Sequence, residues 1–209
     1  MRVVAVWALT GLLVAAQSAW GDAASCGELV NAYGPFDYTN SEHRQQKLPI
    51  VEVNHFTIEV QTLTRGKSDY YPGADIDYTL RAFPNHHGAL QSLLRLAAKE
   101  KLPKLQKMAF SVECYFDRAV RMNEKDATSK MLYAQFLDQH NRQDEALAML
   151  QAADAARPDD ANIYYNLGLL YLKMKDYAKA KQYADKAYAQ GFPLPGLRDK
   201  LKAAGRWDG

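Results

Sequence analysis

The sequence predicts a mainly α-helical protein, a solenoid of stacked antiparallel helix hairpins preceded by a small α+β segment. Three observations predict it. Residues 127–160 superimpose on residues 161–194 at a shift of 34, so that Ala134 falls on Gly168, Leu137 on Tyr171, Ala146 on Ala180 and Ala153 on Ala187. Within the copies the apolar and small residues recur at helical spacing, as at Tyr164, Leu167, Gly168 and Tyr171, and again at Tyr177, Ala180, Ala184 and Ala187. Pro158 closes the first copy and Phe192-Pro193 the second, and proline cannot continue a helix. A fixed period of this length marks a repeat architecture.

The chain opens differently. Arg2 is the only charge before Asp22, and the run from Val3 to Ala16 is apolar except at Thr10 and Gly11. That run is shorter than the roughly 20 residues a membrane-spanning helix needs. Small residues follow it at Ser18, Ala19 and Gly21. This is the layout of a secretory signal over residues 1–23, cut after Gly21 or Ala23. Two alternatives stand beside it: a retained membrane anchor, and lipid attachment at Cys26 in Ala23-Ala24-Ser25-Cys26. Removing the signal leaves a chain long enough for one or two domains with a core. Its net charge is +2 with both signs interspersed, which excludes the basic stripe of a nucleic-acid binder. Export places the only two cysteines, Cys26 and Cys114, in an oxidising compartment, where they are expected to pair.

Residues 24–84 read as an N-terminal extension with two short strands and a connector. Residues 34–49 are the connector. Ile50–Val53 is a β-prone run. Thr57 can cap a short helix carrying Val60 and Leu63 with Gly66 past its end, and the β-branched residues there leave a strand as the alternative. Asp75–Phe83 alternates Ile76, Tyr78, Leu80 and Ala82 with Asp75, Asp77, Thr79 and Arg81, the period of a half-buried strand. Pro84-Asn85 ends it and caps the next helix.

The remainder, 85–209, is helical. A degenerate unit at 85–126 pairs His86–Lys101 with Lys107–Met122, in which Val112, Phe116 and Ala119 lie 34 before Ala146, Leu150 and Ala153. The first full copy, 127–160, predicts helices near Ala127–His140 and Gln143–Ala156, joined at Asn141-Arg142. The second, 161–194, predicts Ala161–Met174 and Tyr177–Gln190, joined at Lys175-Asp176. Residues 195–209 supply a closing helix near Leu197–Ala204, covering the edge a last repeat would expose. Ala134 or Gly168 faces Ala146 or Ala180, where only short side chains let two helix backbones approach.

The segment Ala161-Asn-Ile-Tyr-Tyr-Asn-Leu-Gly-Leu-Leu-Tyr, followed by Asp176-Tyr177, Ala180 and Ala187, resembles a tetratricopeptide repeat (TPR) nearly throughout. The preceding copy departs from the family at Lys130 and at Ala134, in place of a large apolar residue and a glycine. Gly34-Pro-Phe-Asp-Tyr38 and Arg81-Ala-Phe-Pro-Asn-His-His87 are similar to exported bacterial repeat proteins, a likeness that brings no activity with it. The resemblance implies a right-handed α-solenoid whose concave face, formed by the first helices of successive hairpins, docks a peptide or extended segment. The corresponding positions are Met131, Gln135, Asp138 and Gln139 in one hairpin and Asn162, Tyr165, Asn166, Leu169 and Lys173 in the next. They are neutral, polar and aromatic, without a dense basic clamp for a C-terminal carboxylate.

No other constellation competes strongly. His55, His86 and His87, with His43, are candidate metal ligands, but their spacing is not that of a zinc site, and packing explains them. Asp75 and Asp77 could serve acid–base chemistry, though a solvent-facing strand edge accounts for both. Gly66-Lys67-Ser68 lacks the rest of a phosphate loop, and no nucleophile elbow occurs. The sequence therefore reads as a periplasmic or secreted scaffold for a protein or peptide partner in the cell envelope. It calls for no cofactor, no catalysis and no nucleic acid, and for membrane association only through a lipidated Cys26 or a retained signal. The alternative is a metal or small-ligand site, possibly enzymatic, at His55, His86 and His87.

Overall fold

The structure is a computed structural model that describes residues 26–207; the expected signal segment lies outside them. Eleven helices and no strand occur among the described residues. Four short helices come first: α1 (Ser41–Gln46), α2 (Leu48–His55), α3 (Ile58–Gln61) and α4 (Gly73–Ala82). Three hairpins follow, α5 (His87–Glu100) with α6 (Val112–Met122), α7 (Ala127–Gln139) with α8 (Gln143–Ala156), and α9 (Ala161–Lys173) with α10 (Tyr177–Ala189). Helix α11 (Gly196–Ala203) closes the stack against α9 and α10.

The hairpins form where the sequence says they should because each signal agrees with the next. Asp126, Asp160 and Asp176 cap α7, α9 and α10, each accepting from backbone N–H groups of the first turn. The tight turns put Asn141 and Lys175 in the left-handed region, φ 60° and 63°. There the N–H of Arg142 reaches Leu137 O at 3.0 Å and that of Asp176 reaches Tyr171 O at 2.9 Å, closing each helix in the same way. One continuous core runs from Phe56 on the N-terminal layer through Phe116, Leu137 and Ile163 to Leu201 on α11. Burial of that apolar surface, not local propensity, holds such short helices.

The N-terminal extension corrects the expectation most. No strand forms over 50–53 or 75–83; residues 50–53 lie in α2, 75–82 lie in α4, and Phe83 is the C-cap of α4. In α2 Leu48 and Val51 turn inward while Ile50 and Val53 stay exposed, so packing overrides the β preference of those side chains. In α4 the period-two pattern misleads because the carboxylates are inside. Asp75 and Asp77 are 0% and 6% exposed. Asp75 accepts from the N–H groups of Lys67 (2.7 Å) and Ser68 (3.0 Å), from Ser68 Oγ (2.5 Å) and from His55 Nδ1 (3.0 Å). Asp77 accepts from Arg81 Nε (2.8 Å), the N–H of Ala109 (2.9 Å) and the Tyr115 hydroxyl. Charges so satisfied do not need water.

The connector over 34–49 contains α1, capped by Asn40 Oδ1, which accepts from the N–H groups of Glu42 (2.9 Å) and His43 (3.2 Å). Thr57 occupies the N-cap position of α3 without a side-chain cap bond, and the helix stops at Gln61 rather than near Gly66. His86, not Asn85, caps α5, its Nδ1 accepting from the N–H of Ala89 at 3.0 Å. Helix α6 begins after Ser111, five residues later than the pattern suggests.

Candidate functional site

The first helices of the hairpins, α5, α7 and α9, lie side by side and leave a groove of about 450 Å³ on their shared face. Of the predicted positions, Met131, Gln135, Asn162, Tyr165 and Asn166 line it. An adjoining hollow of about 230 Å³ takes Gln135, Asp138, Gln139, Asn166 and Leu169. The two share Gln135 and Asn166, whose side chains meet across α7 and α9, Gln135 Nε2 donating to Asn166 Oδ1 at 3.4 Å. Asn166 Nδ2 donates to Asn162 O at 2.8 Å, which fixes the orientation of this carboxamide along its helix. Lys173 stands at the far rim, its Nζ 2.8 Å from Asp138 Oδ1 and 2.9 Å from Asp138 O. The structure thus brings the nine positions onto one face as neighbours.

Seven residues that sequence reasoning did not assign to this face also line the groove: His87, Gly88, Gln91, Thr128, Leu132, Phe192 and Leu194. Phe192 stacks on Tyr165 with ring centroids 4.1 Å apart and an interplanar angle of 24°. Burial raises the Tyr165 phenol above its ordinary pKa, so the ring is neutral at physiological pH. A signal for Phe192 was present: at a shift of 34 it replaces Pro158, and an aromatic is not needed to stop a helix that Pro193 already stops. Gln91 carried none, since it belongs to the degenerate unit where the repeat pattern is weakest.

The charges around the groove are paired. His87 Nε2 lies 2.8 Å from Asp126 Oδ2, Arg157 Nε 2.9 Å from Asp160 Oδ2, and Lys173 pairs with Asp138. Asp126 is buried beneath α5 and α7 and also accepts from Asn85 Nδ2 (3.1 Å) and Ser129 Oγ (2.7 Å). Desolvation pushes its carboxyl up, but the hydrogen bonds from His87 and Ser129 and the His87 charge outweigh that and hold it below the ordinary aspartate value.

The histidines proposed as an alternative site do not converge. His55 pairs with Asp75 and stacks on Tyr78 at 3.8 Å. His86 Nε2 faces Glu52 Oε1 at 3.2 Å, His87 faces Asp126, and His43 Nδ1 accepts from the N–H of Asp37 at 3.0 Å. Among the described residues no group of three His, Cys, Asp or Glu side chains is placed to hold a metal ion.

Cys26 and Cys114 are bonded, Sγ to Sγ 2.09 Å. A second, unforeseen clamp lies beside the bridge. Arg118 on α6, 1% exposed, donates from Nη1 to the carbonyls of Cys26 (3.2 Å), Gly27 (3.5 Å) and Glu28 (2.5 Å), and its guanidinium lies 4.3 Å from the Phe110 ring centroid. A buried guanidinium held by main-chain carbonyls has no sequence signature, because its partners are ninety to ninety-two residues away and carry no side-chain identity.

A family model described as a TPR repeat matches residues 139–175, from the last residue of α7 through α8 and α9. No curated protein matches the chain. Among solved structures, one of YrrB, described as a TPR protein with an unusual peptide-binding site, matches at 27% identity and a TM-score of 0.47. The match covers 64% of this chain, and this chain spans 64% of the length of that one. PilF of Pseudomonas aeruginosa matches at 21% identity over 78% of this chain and 70% of that chain, with a TM-score of 0.54, and shows the same fold.

Proposed function

We propose that this tetratricopeptide-repeat protein is an exported, non-catalytic scaffold that binds a protein or peptide of the cell envelope in the groove along α5, α7 and α9. A TPR-type fold is an interaction scaffold; the envelope setting, the groove as its binding face and the lack of catalysis are our reading. The single observation behind the groove is its continuity: three successive hairpins contribute to one face, and Tyr165 and the carboxamides of Gln135, Asn162 and Asn166 point along it. Such a face suits an extended segment better than a small reacting molecule. Two of its polar side chains are already engaged, Thr128 Oγ1 accepting from Arg157 Nη2 at 3.2 Å and His87 pairing with Asp126. Export is supported by the signal-like N-terminal pattern together with the Cys26–Cys114 bond, which an oxidising compartment favours.

The test compares proteins co-purified with the native chain and with an Asn162→Ala, Tyr165→Ala variant from the same envelope fraction. Both residues are at least partly solvent-exposed, so the variant is expected to fold and to lose its partner. An unchanged set of partners, with unchanged circular dichroism, would sink the groove reading. Recovery of the native chain in the cytoplasmic fraction at full length would sink the export reading separately.

A further inference from the structure

We infer that the groove selects an uncharged, extended polypeptide segment that sets one large aliphatic or aromatic side chain against Tyr165, Phe192 and Leu194. The inference rests on the groove reading above and names the chemistry of its occupant.

Charge argues first. Arg157 and Lys173, the cations at the groove's edges, are each closed onto a carboxylate of this chain, Asp160 and Asp138, and His87 is hydrogen-bonded to the buried Asp126. An acidic ligand would have to displace one of those carboxylates, and a basic ligand one of the cations. The Arg157 and Lys173 side chains are 47% and 41% exposed, so the penalty arises on binding: a charge that a ligand covers and leaves without its partner is costly, while a neutral ligand disturbs none of the pairs.

The polar lining argues second. Gln91 and Asn162 make no side-chain hydrogen bond to any described residue, and Gln135 uses only its Nε2. A carboxamide offers both donors and acceptors. That is the complement of a peptide unit, which in an extended segment presents an N–H and a C=O with no internal partner.

The apolar end argues third. The loop after α10 carries Phe192 and Leu194, and Leu194 is 58% exposed. The loop is held, not loose: Phe192 N–H reaches Ala187 O at 3.1 Å, Tyr188 hydroxyl donates to Leu194 O at 3.1 Å, and prolines flank Leu194. Tyr165, Phe192 and Met131 are partly buried against the core beside it. An apolar side chain laid there would cover surface that this chain alone leaves in water, which is the favourable direction.

The experiment uses the full mature chain and fluorescent peptides of roughly ten residues, about 33 Å when extended. The probes share a Ser/Gln background: one with a central Leu, one with Ser in its place, and versions of the first flanked by Glu or by Lys. A photo-crosslinker on each maps where it sits. The neutral Leu peptide is expected to bind in the groove with an affinity that changes little between about 50 and about 300 mM salt. Replacing its Leu, or making Leu194→Ser in the protein, is expected to weaken binding about tenfold, equivalent to about 1.4 kcal/mol. Leu194 is exposed, so that variant keeps its fold, and Phe192→Ser provides the stronger version. Tighter, salt-dependent binding of the Glu or Lys peptide in the groove, or indifference to the Leu, overturns this inference and leaves the groove reading standing. Crosslinks outside the groove, or no binding by any probe, overturn both.

Discussion

Adding one methyl group at Gly168 should destabilise the protein, and a second substitution that removes a side chain's reach should reverse the sign. A Cβ at this position would lie well inside van der Waals contact with Leu197 Cδ2 and 3.3 Å from Ala180 O. Leu197 is fully buried on α11, so its end cannot swing into water. Overpacking of this kind costs about 1–3 kcal/mol. Against it stands the helix preference for alanine over glycine, about 1 kcal/mol. The net for Gly168→Ala is a loss of about 1 kcal/mol. Leu197→Val has no δ carbon and alone costs about 1 kcal/mol. In that background the Leu197 clash is gone and only the close approach to Ala180 O remains, so Gly168→Ala should stabilise by up to about 1 kcal/mol. Urea unfolding of the four proteins, followed by circular dichroism at constant m-value, gives a coupling of roughly 2 kcal/mol. Additive effects, or a stabilising single Gly168→Ala, would show that α11 does not press on α9 as described.

Other outcomes follow from the same geometry. Lys175 holds the left-handed region at φ 63°, which costs an L-residue about 1–2 kcal/mol; Lys175→Gly should raise the urea midpoint, by about 0.5–1 kcal/mol after glycine's own entropy cost. Reducing the Cys26–Cys114 bond, which joins residues 88 apart, should destabilise by roughly 2–5 kcal/mol, read as a lower melting temperature with reductant that a Cys26→Ala, Cys114→Ala variant reproduces without it. Mass analysis of the unreduced protein should find both thiols blocked. Asp37, Asp75 and Asp126 are held below the ordinary aspartate value, hydrogen bonds to each outweighing its desolvation. Their contribution is therefore full above about pH 4, the unfolded aspartate value, and is lost as pH falls through the depressed folded values. Acid melts should show that loss, shrinking in an Asp126→Asn variant; an unchanged acid midpoint would contradict it.

The repeats were legible because several local signals point the same way: small residues at a 34-residue interval where helices cross, aspartate caps, and a proline closing each copy. The nine concave positions followed from the family resemblance and fall on one face. At the groove's apolar end Phe192 was marked only by replacing Pro158 at the repeat shift, and Leu194, in a loop with no periodicity, was not legible. The N-terminal layer was misread for a different reason. Asp75 and Asp77 alternate with Ile76 and Tyr78, and water is the default place for a carboxylate. Apart from Arg81, one helical turn from Asp77, their partners, His55, Lys67, Ser68, Ala109 and Tyr115, lie outside α4, from seven to thirty-eight residues away in the chain. A buried polar network of this kind makes a helix look like a strand.

The bond between Cys26 and Cys114 also decides how the molecule would bear mechanical load. A pull applied upstream of Cys26 and resisted by a partner in the groove crosses the sulfur bridge directly into α6. Helices α1 to α5 and the loop before α6 lie inside the covalent ring, out of the line of force, and cannot be drawn out while the bridge holds. In a pulling experiment the oxidised chain should fall short of the reduced one by about 300 Å of contour length, at about 3.6 Å for each of the 88 positions spanned. Along the covalent chain only α6 to α11 would carry the tension, while α5, with His87 and Gln91 in the groove, would be loaded only through the partner.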